Sequence, residues 1–129
     1  MVLFAVADFC LIPMGTETSV GPYIAECQRV LEAMKSEGIK YEMHGYGTNL
    51  EGPFPLVCQA IERCHEAVHA KGAPRISSNM RIGTRTDKPQ EQAWAKGLGE
   101  NERKRESVRR ILAGQTGDAE AATKAAAPQ

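Results

Sequence analysis

The sequence contains no apolar run of about 18 residues, the length a helix needs to cross a bilayer, so no membrane span is expected. It also lacks a charge excess, since 16 Lys and Arg are matched by 16 Asp and Glu. Proteins that hold nucleic acid through its phosphates carry surplus basic residues, so nucleic acid is not an expected partner. Cysteine is present but sparse, and no C-x-x-C pair occurs, which removes a zinc ribbon and a thioredoxin-like site. The opening residues Met1 to Asp8 lack a basic region, and Asp8 cuts their apolar run short. That pattern argues against a secretory signal and for a buried first strand. A cytoplasmic location follows as the expectation. In that setting Cys10, Cys27, Cys58 and Cys64 read as free thiols buried like small apolar side chains.

What is present fits one domain with a possible tail, because 129 residues support a single core. Charged residues at 25% and apolar ones at 42% are ordinary globular values, so wholesale disorder is excluded. Residues 3–14 alternate as a strand. Leu3, Ala5, Ala7, Phe9 and Leu11 share one face, and Phe4, Val6, Cys10 and Ile12 share the other, broken only by Asp8. A strand apolar on both faces needs cover on both sides. Helices of the same chain supply one cover, and a second subunit is the expected source of the other.

A polar turn at 13–19 leads to a helix expected to be capped by Thr18 or Ser19 and to run to about Glu37. Its stripe is Val20, Ile24, Cys27, Leu31 and Met34. Gly38 stands at the C-cap position. Residues 39–48 alternate as a half-buried strand, with Ile39, Tyr41 and Met43 on one face and Lys40, Glu42 and His44 on the other. Asn49 to Gly52 form a short hairpin partner. A second helix over 53–70 carries Val57, Ile61, Cys64 and Val68, and residues 74–86 form the last strand. The order β-α-β-β-α-β predicts an α+β fold, a ferredoxin-like sandwich of two helices on a four-stranded antiparallel sheet. That domain is expected over 1–88. Residues 89–113 read as an insertion followed by a charged terminal helix, and 114–129 as a disordered Ala-rich tail.

Four stretches carry a family resemblance: A-D-F-C-L-I-P-M-G-T at 7–16, H-G-Y-G-T-N-L-E-G-P at 44–53, C-H-E-A-V-H-A-K-G at 64–72 and R-I-G-T-R-T-D-K at 81–88. In this order and spacing the chain resembles the thiamine-binding protein family, which includes a yeast cell-wall-associated member. The resemblance implies a ferredoxin-like fold and a homodimer or a dimer of dimers (a homotetramer). It also implies non-catalytic binding of thiamine or a hydroxymethylpyrimidine-like molecule, with no cofactor. A link to cell wall organisation rests only on the yeast relative. An assembly with structural or regulatory purpose and no vitamin ligand is the alternative.

Polar residues at strand ends supply the candidate ligand site: Thr16, Glu17, His44, Thr48, Glu51 and Arg81. An aminopyrimidine needs a donor–acceptor pair in its own plane, which Glu51 or Asn49 offers. A thiazolium cation favours a carboxylate or an aromatic face, which Glu17, Tyr46 or Tyr41 offers. The plainer roles are turn and helix capping for Thr48 and Glu51, and an inter-subunit ion pair or bound anion for Arg81 and Arg85.

One motif points elsewhere. His65-Glu66-Ala67-Val68-His69 matches H-E-x-x-H, in which two His four apart on a helix share a zinc and Glu activates water. A catalytic zinc also needs a third ligand and an open position. The domain is small, and both His flank the apolar stripe of the second helix. They are therefore read as helix-edge histidines, with a zinc hydrolase as the remote alternative. The basic run at 103–110 is interspersed with Glu100, Glu102 and Glu106 and reads as a solvated, ion-paired helix.

Overall fold

The computed structural model describes residues 2–87 and 99–114. The chain divides into two units, residues 1–88 and 89–129. Residues 88–98 and 115–129, where most of the expected insertion and tail fall, lie outside the described residues.

The alternation that opens the sequence makes β1, Phe4–Met14. Its odd-numbered residues Ala5, Ala7, Phe9 and Leu11 are buried, while its even-numbered ones face the other side and stay partly accessible. Helix α1 spans Gly21–Ala33. It starts without Thr18 or Ser19. Val20 occupies the cap position with no side-chain hydrogen bond, and its carbonyl accepts from the Tyr23 and Ile24 amides at 3.0 and 3.1 Å. Pro22 in the first turn explains the start, because its preset φ and missing N–H suit a position with no intrahelical acceptor. The helix also stops earlier than expected. A 3-10 turn over Lys35–Glu37 follows, and Gly38 closes it at φ 116°, a left-handed conformation that glycine adopts without strain.

Strand β2 spans Lys40–His44 and β3 spans Gly47–Pro53, so the hairpin partner is longer than its sequence signal. Helix α2 runs Phe54–Ala70 and β4 runs Arg75–Gly83. The sheet order is β2-β3-β1-β4, with every neighbouring pair antiparallel. This is the ferredoxin-like α+β arrangement that the element order predicts.

The core lies between the sheet and the two helices. Val57, Ala60, Ile61, Cys64 and Val68 of α2 are buried, as are Cys27 and Leu31 of α1 and Met34 just past its end. Across from them, Leu50 of β3 and Phe9 of β1 close the sheet side. Burying each Leu, Val or Phe stabilises the fold by roughly 1.5–3 kcal/mol. Two members of the α1 stripe are not packed into this core: Ile24 is half-buried and Val20 is 36% exposed. They border a cavity instead. Cys58 departs from its expectation as well. It lies on the outward side of α2 and is exposed, whereas Cys10 is half-buried and Cys27 and Cys64 are fully inside.

In the second unit, helix α3 spans Glu100–Leu112. Its arginines are paired along the helix, mostly at i,i+3: Arg105 with Glu102, Arg109 with Glu106, and Arg110 with Glu106 at i,i+4. Acidic residues occupy its first turn and basic ones its last, the order the helix dipole favours.

Candidate functional site

The strand pairing assigns each polar residue to a side of the sheet, because residues opposite one another share a face. On the helix side, Thr48 is opposite Phe9 and Met43. On the outer side, Asp8 lies between Asn49 and Arg81, and Glu42 lies beyond Asn49. Glu51 is opposite Val6 and Lys40 on that same outer side.

A cavity of about 250 Å³ opens on the helix side. Its back wall is β1 from Phe9 to Pro13, and one flank is α1 through Val20, Ile24, Cys27 and Gln28. The other flank is the β2–β3 hairpin from His44 to Thr48. None of the lining residues is Asp, Glu, Lys or Arg. One polar pair is set into these apolar walls. Gln28 Nε2 donates to Thr48 Oγ1 at 3.2 Å, tying α1 to β3. Thr48 is only 4% exposed, so this bond satisfies a buried hydroxyl. A Gln amide has two N–H donors and a carbonyl acceptor in one plane, and the bond to Thr48 uses a single donor. The remaining edge can pair with an in-plane donor and acceptor of a bound ring.

At the mouth, the His44 imidazole accepts from the Tyr46 backbone amide at 3.3 Å through Nδ1. At the base, Cys27 meets α2, where the Cys64 thiol points to the Cys27 carbonyl oxygen at 3.8 Å. Hydrogen bonding to Cys27, with burial, holds the Cys64 thiol above its ordinary value.

The six candidate residues are therefore distributed over three places. His44 and Thr48 both line the cavity. Thr16 and Glu17 lie in the β1–α1 loop, where Thr16 Oγ1 donates to the Glu17 carbonyl at 3.2 Å and Glu17 is exposed. Glu51 and Arg81 are on the outer sheet face. Glu51 is buried there, while Arg81 reaches across to Asp8 with Nε–Oδ1 and Nη2–Oδ2 contacts of 2.9 and 2.6 Å. That guanidinium lowers the Asp8 carboxyl below its ordinary range. Tyr41 is engaged elsewhere, its hydroxyl donating to Glu32 at 2.6 Å. Gln28 was missed by sequence reasoning. The signal was available, since Gln28 lies four residues after Ile24 and is a polar side chain on the edge of an apolar helical stripe.

The H-E-x-x-H residues lie apart from the cavity. His65 Nε2 is 2.7 Å from Ser78 Oγ, and His69 Nδ1 is 2.8 Å from the Ala73 carbonyl. Each ring thus ties α2 to the segment that follows it. Among the described residues, no group of three or more His, Cys, Asp or Glu is placed to hold a metal ion.

The sequence profile of the family described as "Thiamine-binding protein" matches residues 7–96. The UPF0045 protein sll0230 of Synechocystis is 55% identical over 85 residues, 66% of this chain and 68% of that one. The UPF0045 protein ECM15 of Eremothecium gossypii is 38% identical over 89 residues, 68% of this chain and 82% of that one. Among solved structures, the hypothetical protein MJ1052 of Methanocaldococcus jannaschii superposes with a TM-score of 0.56 at 28% identity, covering 74% of this chain and 97% of that one. TM0486 of Thermotoga maritima, described as a candidate thiamine biosynthesis/salvage protein, shares the fold with a TM-score of 0.51 at 18% identity, covering 72% and 98%. The profile match spans both walls of the cavity and all of the sheet but the first three residues of β1, and by it the chain belongs to the thiamine-binding protein family.

Proposed function

We propose that this protein binds a small planar ligand of the thiamine or hydroxymethylpyrimidine type in the cavity between α1 and the β2–β3 hairpin. On this reading it performs no chemistry on the ligand and works in the cytoplasm as a homodimer or a dimer of dimers. The observation that carries the reading is the Gln28–Thr48 bond: an in-plane amide edge set in a largely apolar wall without Asp, Glu, Lys or Arg. A heteroaromatic ring gains apolar contact on its faces and hydrogen bonds on its edge in such a site. Family membership supports the same ligand class.

Within this proposal His44 and Thr48 contact the ligand, Thr16 and Glu17 contribute from the β1–α1 loop, and Glu51 and Arg81 act at the contact between subunits. The outer sheet face suits that last role. It is polar at its centre, around the Asp8–Arg81 pair, and Ile12 is 42% exposed on the same side.

Isothermal titration with thiamine, and separately with hydroxymethylpyrimidine, tests the proposal. Saturable heat at one site per subunit or per subunit pair is expected. Thr48→Val keeps the shape of the wall but removes the hydroxyl, and it is expected to weaken binding about fivefold to tenfold. No heat from either compound, with no thermal shift, would leave the assembly without a vitamin ligand as the better reading.

A further inference from the structure

Tyr46 is the most exposed of the large apolar or aromatic side chains among the described residues, at 90%, yet it lines the mouth of the cavity. It stands at the tip of the β2–β3 hairpin between two glycines that differ in their surroundings. A Cβ on Gly47 would lie 2.6 Å from the Phe9 carbonyl oxygen, so the backbone there is pressed against β1. A Cβ on Gly45 would meet nothing within 4 Å. The tip is thus fixed on its β3 side and unconfined on its β2 side. The Tyr46 amide contact to His44 Nδ1, at 3.3 Å, is long for a hydrogen bond.

We infer that Tyr46 selects the ligand: its ring swings about Gly45, closes over the cavity mouth and stacks on the face of a planar heteroaromatic molecule. This rests on the binding function proposed above and adds a selection rule to it. Apart from Gln28, Thr48 and His44 the walls are apolar, and that surface accepts any small apolar body of the right size. A tyrosine ring on the open side favours flat, electron-poor or cationic rings over saturated molecules, through stacking and cation–π attraction. Gln28 and Thr48 read the edge of such a ring, and Tyr46 covers its face.

The test is titration and stopped-flow dissociation of thiamine and of hydroxymethylpyrimidine with wild type, Tyr46→Ala, Tyr46→Phe and Gln28→Leu. Tyr46→Ala is expected to weaken binding about tenfold or more, the range that aromatic stacking supplies, chiefly through faster dissociation. Tyr46→Phe keeps the ring and is expected to stay within about twofold of wild type, on the same stacking argument. Gln28→Leu is expected to weaken binding through the edge contact. No binding by wild type would remove the ligand function and this inference together. Binding weakened by Gln28→Leu but unchanged in Tyr46→Ala would overturn this inference alone. Equal losses in Tyr46→Ala and Tyr46→Phe would assign the effect to the hydroxyl and overturn stacking. A change in sedimentation of Tyr46→Ala with unchanged affinity would make Tyr46 a subunit contact, and that too would overturn it.

Discussion

Asp8 interrupts an apolar strand, and its environment explains how the strand tolerates it. The carboxylate is bracketed on the outer face and takes a bidentate bond from Arg81. The Arg81 hydrogen bond is the largest influence lowering its pKa, with partial burial opposing. A carboxyl held below its unfolded value contributes stability that is present above that value and lost as pH falls through the folded one. The window therefore lies below about pH 4. Arg81→Gln is expected to raise the Asp8 titration midpoint, read by carboxyl NMR, and to flatten the acid limb of a denaturation-against-pH curve. The stability lost at neutral pH equals what the wild-type curve sheds on acidification, and both are small, because the Arg81 side chain is 87% exposed and such pairs are screened. An Asp8 midpoint unmoved by Arg81→Gln would show that something other than the pair sets it. The sequence identifies Asp8 as an anomaly and Arg81 as a charged residue of the last strand. It does not reveal that residue 8 meets residue 81, since that depends on strand register, and a slip of one residue would turn Arg81 to the core.

The helices were the most legible elements. Cys27, Leu31 and Met34, with Ile61, Cys64 and Val68, are read from a 3.6-residue period, and all are buried. The period cannot say what lies opposite a stripe, however. The first turn of the α1 stripe, Val20 and Ile24, borders open space because the hairpin tip does not fill it. Cap chemistry misled at the same end, where Pro22 rather than a hydroxyl starts the helix. The cysteines give this a direct test. Alkylation of native protein, mapped by mass spectrometry, is expected to modify Cys58 first and Cys10 more slowly, and to spare Cys27 and Cys64 until denaturant is added. Rapid labelling of Cys64 in native buffer would mean that the seam between α1 and α2 opens locally at low cost, contrary to its complete burial.

For the molecule as a whole, the order of elements was enough to yield the ferredoxin-like topology, because β-α-β-β-α-β leaves few ways to cover one sheet face with two helices. The cavity was not legible, as it exists only where β1, α1 and a hairpin tip converge from positions 9, 24 and 46. Half of its polar content, Thr48 and His44, is legible as polar residues at strand ends. Strand β3 is where the two sides of the molecule meet most closely. Over seven residues it presents Thr48 and Leu50 inward and Asn49 and Glu51 outward. If a ligand leans on one side of this ribbon and a neighbouring subunit on the other, occupancy and assembly become linked quantities. Reciprocity then requires that whatever factor the ligand adds to association, association adds to ligand affinity. With the ligand and the assembly proposed above, and a ligand that favours association, the apparent dissociation constant for thiamine is expected to drift downward as the protein is concentrated. A dilution series with Arg81→Glu, built to part the subunits, should remove the drift while leaving the limiting monomer affinity unchanged.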